Sequence, residues 1–300
     1  MLISVCIATY KRPELLKKLL QSLAEQELNF DLEIEAIVVD NDRELTAREI
    51  VKNFNSTEKI KFIYFSQPEK NISLTRNVAV NNAKGEYLLF IDDDEFADKK
   101  WISSLINCVK KYKADGAFGR VLSYFCEDTP EWKRKSFFFN RPASPSGTTA
   151  AFTRTTNSIV KASLVKSVEG PFDPEYGITG GEDTQLFGAL KKQGAKFVNC
   201  YEAVTMEYIP PERTKLLWLL RRAFRLGNNF TRRSVELAKN KKFLVASKHL
   251  VKGFFYEVSS ILLVVINIFS KARSFHWILK AAANLGKIAA VFGYQYKEYD

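Results

Sequence analysis

Histidine is nearly missing from this 300-residue chain; only His249 and His276 occur. Neither pairs with a cysteine at ligand spacing, so a zinc centre is not expected. Cysteine is as sparse. Cys6, Cys108, Cys126 and Cys200 are scattered, with no Cys-x-x-Cys. That pattern reads as reduced, mostly buried thiols of a cytosolic protein rather than a disulfide framework. Glycine is absent where phosphate-binding folds need it. Thr9-Tyr10-Lys11-Arg12, after the first apolar segment, holds none. A Gly-x-Gly-x-x-Gly dinucleotide enzyme is therefore disfavoured, and so is a nucleotidyltransferase with a glycine-rich phosphate loop. A long apolar run is lacking too. The longest uncharged stretch, residues 258–270, has 13 residues, against about 20 for a membrane-crossing helix. No clean transmembrane span is expected. The apolar run 3–8 is short and has no basic flank before it, so it reads as a strand and not a secretory signal.

What is present suits one α/β domain with a helical appendage. Apolar residues make up 46% and charged residues 26%. The net charge of +11 is unevenly placed. Residues 1–210 carry 28 Lys/Arg against 29 Asp/Glu, and residues 211–300 carry 17 against 5. Two jobs in one chain are implied.

The first ninety residues alternate strand and helix. Strands are expected at 3–8, 34–39, 61–65 and 87–91. A helix starts at Pro13, with Leu15, Leu16, Leu19, Leu20 and Leu23 on one stripe, and others cover 47–54 and 73–83. Asn71 or Ser73 caps the last of these and Gly85 stops it. This order predicts a parallel sheet with helices on both faces. Ligands bind such sheets outside the carboxyl ends of the strands. Further on, the polar stretch 127–158 reads as a long loop over the sheet. Residues 158–168 mix strand and helix. Gly177-Ile178-Thr179-Gly180-Gly181 leads into a helix at 182–192. From Pro210 onward the chain reads as helical and basic.

The residues at the strand ends carry the chemistry. Asp92-Asp93-Asp94, with Glu95 next, closes an all-apolar strand. Adjacent carboxylates there suit a divalent cation with a diphosphate, although a solvated acidic turn is the plainer reading. Asp40 ends a second strand and suits a base or ribose edge, or simply a loop support. Arg76 suits a phosphate or base, or is an exposed helix arginine. Gly180-Gly181-Glu182-Asp183 puts two acids at a helix N-terminus. The dipole there favours the ionised form and hence a base, or the acids merely cap the helix.

Together, Val5-Cys6-Ile7-Ala8-Thr9-Tyr10-Lys11-Arg12-Pro13, Val38-Val39-Asp40-Asn41, Ser73-Leu74-Thr75-Arg76-Asn77, Leu89-Phe90-Ile91-Asp92-Asp93-Asp94-Glu95 and Gly181-Glu182-Asp183 resemble, in that order, family 2 glycosyltransferases of the GT-A fold. The resemblance covers about two-thirds of the chain. It implies a catalytic domain at 1–210, with a nucleotide-binding half at 1–100 and an acceptor half at 101–210. Thr9, Tyr10, Arg12, Asp40, Arg76, Asp92 and Asp93 are implied on the nucleotide side. Asp94 is implied as ligand of Mn²⁺ or Mg²⁺, and Asp183 as general base with Glu182 beside it. The donor is a nucleotide-sugar, UDP-linked by family weight, and the reaction inverts the anomeric centre. The stretch 203–225 further resembles bacterial enzymes that add single sugars to lipid-linked saccharides of envelope polysaccharides. Where many relatives have His, this chain has Glu207, a candidate oxygen ligand. Gln-x-x-Arg-Trp is absent, which disfavours a processive synthase.

The tail, 211–300, mixes Trp218, Phe224, Phe254, Phe255 and the run 261–269 with Arg221, Arg222, Arg225, Arg232 and Arg233. An anionic membrane surface is the expected partner. A tail packed on the catalytic domain is the alternative. Nucleic acid is not expected, since no nucleic-acid motif accompanies the basic residues. The expected location is cytoplasmic, on the inner face of the cell membrane. A membrane-associated, non-catalytic scaffold of the same fold is the non-enzymatic rival, and the intact acidic motifs argue against it.

Overall fold

The computed structural model describes residues 1–28, 32–54, 60–125, 128–136, 138–139, 143–236 and 238–296, the side chain of Lys239 excepted. Cys126 and Pro142 lie outside the described residues; Cys6, Cys108 and Cys200 are free, buried thiols. In chain order the elements are β1 (Leu2–Thr9), α1 (Pro13–Ala24), β2 (Glu33–Asp40), α2 (Arg48–Asn53), β3 (Ile60–Ser66), α3 (Ile72–Asn82), β4 (Tyr87–Phe90), β5 (Glu95–Ala97), α4 (Trp101–Lys111), β6 (Gly116–Phe125), α5 (Glu131–Arg134), β7 (Ser158–Lys161), α6 (Ala162–Lys166), α7 (Glu182–Lys192), β8 (Phe197–Ile209), α8 (Leu216–Glu236), α9 (Lys242–Ile266) and α10 (Lys271–Val291). They form two compact units. One comprises Met1–Leu122 with Pro142–Tyr208, the other Ser123–Arg141 with Ile209–Glu298.

The first unit is a mixed α/β sheet in the order β3-β2-β1-β4-β7-β6-β8-β5. β1 pairs in parallel with β2 and β4, and β2 with β3. β7 pairs antiparallel with β4 and β6, and β5 with β8. The antiparallel half comes from the segment whose sequence pattern is loosest. Within each strand, alternate side chains serve opposite faces. Ile3, Val5 and Ile7 join Leu16, Leu19, Leu20 and Trp101 on one side. Cys6, Ile37, Val39, Leu88 and Phe90 join Val80, Phe172 and Phe187 on the other.

Helix α3 is capped by Asn71, whose side chain accepts from the Ser73 and Leu74 amides. Its carboxyl end is Ala83, not Gly85. Gly85 has a different reason to be glycine: a Cβ there would lie 2.5 Å from the Ser4 nitrogen on β1. The expected loop at 127–158 is divided. Its early part, with the short helix α5, belongs to the second unit, and residues 143–158 to the first.

The second unit is helical. Ile209, Leu219, Ala223, Phe275, Leu279 and Phe139 form its core. α8 and α10 meet at glycines. A Cβ on Gly227 would lie 1.9 Å from the Ala283 carbonyl oxygen, and one on Gly286 1.9 Å from that of Phe224. Buried Asn228 seals this contact by donating to the Gly286 carbonyl at 3.3 Å. Helix α9 is longer and more apolar than the uncharged run suggested. By length and composition it could cross a membrane. Lys248, Lys252 and Glu257 interrupt its uncharged run without offsetting its apolar content, so counting uncharged residues misses it.

A methyl at Gly286 must push two backbones apart. Gly286→Ala should lower stability by about 1–3 kcal/mol, despite the roughly 1 kcal/mol alanine gains in a helix interior. Chemical denaturation checks this; an unchanged or raised midpoint would mean that the helices are not in such close contact.

Candidate functional site

Parallel pairing aligns the carboxyl ends of β1, β2 and β4. Thr9 lies in register with Asp40, and Cys6 with Phe90. The acidic loop Asp92-Asp93-Asp94 follows β4 directly, so three of the five quoted segments meet at the carboxyl ends of adjacent strands. Two more ties fix it. The Tyr208 amide donates to the Asp94 carbonyl at 2.8 Å, and the Asp98 amide to that of Val204 at 3.0 Å.

The three aspartates do different things. Asp93 points inward. It accepts from the Thr9 hydroxyl at 2.9 Å, the Tyr10 amide at 3.3 Å and Arg12 Nη1 at 2.8 Å. Burial pushes its carboxyl up and Arg12 pulls it back. Asp94 also pairs with Arg12 Nη1, at 3.0 Å. Thr9, Arg12 and Asp93, all expected to touch nucleotide, are thus engaged with one another and clamp the β1 loop to the acidic loop. Tyr10 differs: its side chain is exposed.

Asp92 faces the crevice, with 44% of its side chain exposed, and meets Arg76 Nη2 at 3.4 Å. Its carboxyl is pushed up to about 7. Loss of solvent at the crevice floor raises it most, Arg76 opposes, and the charges of Asp94, Asp93 and Glu207 raise it further. Glu95, quoted in the motif but given no role by the sequence, is buried and also raised, first by burial and then by Asp92. It accepts from Thr156. It lies directly opposite Glu207 in the β5–β8 ladder. Like charges facing each other across antiparallel strands repel.

Asp40 holds its own loop. It is fully buried, and its oxygens accept from the Asp42 amide at 3.0 Å, the Ala47 amide at 2.9 Å and the Tyr64 hydroxyl at 3.3 Å. These bonds are those of the loop-support reading, one of the two that the sequence leaves open. Strand periodicity missed Tyr64 because a half-buried tyrosine on β3 looks like packing.

The second acidic pair sits where the glycines put it. Gly180 (φ 75°) and Gly181 (φ 106°) are left-handed, and Gly181 caps α7. Glu182 is buried and bonds Arg76 Nη1. Burial raises its carboxyl above the usual range and Arg76 opposes. Burial thus outweighs the helix N-terminus at Glu182, and one of its oxygens is given to Arg76. Arg76, 12% exposed, thus joins α7 to the acidic loop. Asn77 steadies the same helix, exchanging two bonds with the Phe172 backbone at 2.7 and 2.9 Å. Asp183 accepts from the Thr184 amide at 2.5 Å and hydroxyl at 3.0 Å.

Asp92, Asp94, Glu95 and Glu207 offer only hard oxygen donors, which suit Mg²⁺ or Mn²⁺, and their mutual repulsion is what a cation would relieve. The donors fit, but they are not gathered. Among the described residues no three His, Cys, Asp or Glu side chains converge on one point. Arg12 and Arg76 hold Asp94 and Asp92 instead.

A family model, glycosyl transferase family 2, matches residues 4–167. The chain belongs to that family. The matched span contains the β1 loop, Asp40, Arg76 and the acidic loop, while Glu182, Asp183 and Glu207 lie beyond it. The chain is 29% identical over 294 residues to the succinoglycan biosynthesis protein ExoM of Rhizobium meliloti, covering 97% of this chain and 93% of that one. Among solved structures it is similar to the mannosyltransferase PcManGT of Pyrobaculum calidifontis, in complex with GDP-Man and Mn²⁺. There the TM-score is 0.66 at 15% identity, over 95% of this chain and 86% of that one. It is also similar to TarS 1-349 of S. aureus in complex with UDP, with TM-score 0.50 at 19% identity over 95% and 90%. This glycosyltransferase therefore has the GT-A α/β fold expected from its motifs.

The raised Asp92 carboxyl gives a sign. Its ionised form is disfavoured in the folded chain, so stability falls as pH rises from about 4 towards 7 and beyond. Asp92→Asn removes that cost without changing shape. In EDTA the variant should melt about 2–4 °C above wild type at pH 8, discounting for the exposed part of the side chain, and nearly level with it at about pH 4. A variant less stable by the same amount at both pH values would contradict it.

Proposed function

We propose that this glycosyltransferase moves one sugar from a nucleotide-sugar donor, UDP-linked by preference, to a hydroxyl of a saccharide or lipid-linked acceptor, with inversion. The observation that carries the reading is the Glu182–Arg76–Asp92 chain of ion pairs. It ties the helix bearing Asp183 to the loop that meets the donor, so base and donor are held by one arginine.

Tyr10 offers its exposed ring to the nucleotide base. Thr9, Arg12, Asp93 and Asp40 position the loops that receive the nucleotide rather than touching it. Asp92, Asp94 and Glu207 would hold Mn²⁺ or Mg²⁺. When bound, such an ion offsets the charge that gathers on the departing diphosphate. Arg76 adds a fixed positive charge on that side. Asp183 takes the proton of the acceptor hydroxyl as that oxygen attacks the anomeric carbon. Its orientation is set by the two Thr184 bonds. Glu182 acts through Arg76 as a positioning residue.

The similarity to ExoM supports polysaccharide assembly, and the UDP and GDP-Man complexes of TarS and PcManGT support a nucleotide-sugar donor. Residues 1–210 are assigned to catalysis, with the nucleotide half at 1–100. The basic region 211–300 is assigned to an anionic membrane on the cytoplasmic side, where a lipid-linked acceptor would be met.

Thermal unfolding with UDP, GDP, CMP and dTDP, each with Mn²⁺ and with EDTA, tests the donor site. One nucleotide should raise the midpoint by several degrees at 100 times its Kd, a gain of about 2.7 kcal/mol, and EDTA should cancel most of it. No shift with any nucleotide would overturn the donor site. Asp183→Asn should cut transfer by about 10²–10⁴-fold with nucleotide binding unchanged; retained transfer would remove the proposed base.

A further inference from the structure

The outer face of α9 is apolar and uncovered. Phe254, Phe255, Ile261, Leu262, Val265 and Ile266 are each more than half exposed, and Phe269 just beyond the helix is fully exposed. The opposite face is held. Gly253 packs on Ile288 of α10, and buried Ser260 receives a bond from Asn284 at 3.3 Å. Exposed cations flank the apolar face: Lys242, Lys248 and Lys252 towards its start, Lys271 and Arg273 just past its end. Between Lys242 and Arg273 the one acid is Glu257, whose Oε2 is buried.

We propose that α9 lies in the plane of an anionic membrane, sunk into one leaflet along this face, and does not span the bilayer. The proposal rests on the membrane part of the function proposed above and adds the surface, the lipid charge and the mode of insertion. A span would have to take its packed neighbours along. α10 is bound to α9 by the Ser260–Asn284 contact and to α8 by the paired glycines, and α8 carries Arg221, Arg222, Arg225, Arg232 and Arg233. Such a cluster is costly in hydrocarbon. Insertion tip-first fails for the same reason, because Lys271 and Arg273 sit at the turn. Lying flat, the apolar face meets acyl chains while the lysines reach phosphate headgroups. A second copy is a poorer occupant, since it would set one row of lysines against another.

The test uses the full chain and vesicles of phosphatidylglycerol with phosphatidylcholine. Wild type should co-sediment with them at least ten times better than with phosphatidylcholine alone. Phe255→Ser/Leu262→Ser/Ile266→Ser should lose at least ten-fold of that binding with an unchanged circular dichroism spectrum, since all three side chains are exposed. Single variants Phe243→Cys, Phe254→Cys, Leu262→Cys and Phe269→Cys, each dye-labelled with wild type as blank, should be quenched alike by lipids brominated near the headgroup. Deepest quenching at 254 with shallow ends means a span and overturns the proposal. So does vesicle binding that ignores the triple change, or a wild-type dimer that the triple change makes monomeric. Absence of binding by wild type removes the membrane reading itself, leaving the nucleotide result untouched.

Discussion

Six carboxyl groups crowd the crevice against two guanidinium groups. Asp92, Asp93, Asp94, Glu95, Glu182 and Glu207 share it with Arg12, which pairs with Asp93 and Asp94, and with Arg76, which pairs with Asp92 and Glu182. Charges in so poorly solvated a place cannot be left uncompensated, and the local architecture follows from how each is met. Arg12 closes the β1 loop over Asp93 and Asp94. Arg76 draws α7 towards Asp92. Thr156 satisfies part of Glu95. What is left over is a negative edge at Asp92, with Asp94 and Glu207 beside it; loss of solvent raises the Asp92 carboxyl to about 7 against the pull of Arg76.

The sheet makes this crowding possible. Continuous apolar strands bury β1, β2 and β4 on both faces, and parallel pairing then puts three polar loops side by side. Buried side chains stitch those loops together. Asn41 donates to the Gln67 and Glu69 carbonyls, and its oxygen accepts the Asn71 amide. On the other flank Asn157, at φ 46°, accepts from the Trp101 indole and donates to the Arg120 and Ala203 carbonyls. Each amide replaces several solvent bonds with protein ones, so the crevice floor is rigid before any ligand arrives.

Much of this was legible in the chain. Period-3.6 patterns and short apolar runs located β1 to β4 and the intervening helices, because β1, β2 and β4 are buried on both faces and α1 buries one apolar stripe. Helix α7 was placed at its observed bounds by the glycine pair. Roles were less legible than positions. Three consecutive aspartates look alike in sequence, yet in the turn between β4 and β5 Asp93 is turned onto Thr9 and Arg12 while Asp92 is left partly exposed. Asp40 reads as a ligand contact until the Ala47 amide and Tyr64 hydroxyl are seen on its oxygens. Glu95 draws no notice until β8 puts Glu207 across from it. These depend on contacts 24 to more than a hundred residues apart or on backbone turns, which local periodicity does not encode. The antiparallel strands β6 and β8 were hidden for a similar reason: both mix buried and exposed faces and lack a clean repeat.

Titration of Mn²⁺ into the protein, followed by the paramagnetic resonance of the free ion, tests the charge argument most directly. With UDP, or whichever nucleotide stabilises the chain, wild type should take up one equivalent, and Asp94→Asn should weaken that uptake at least ten-fold while Asp40→Asn does not. Equal uptake by wild type and Asp94→Asn, or none by wild type with any nucleotide, would contradict the account.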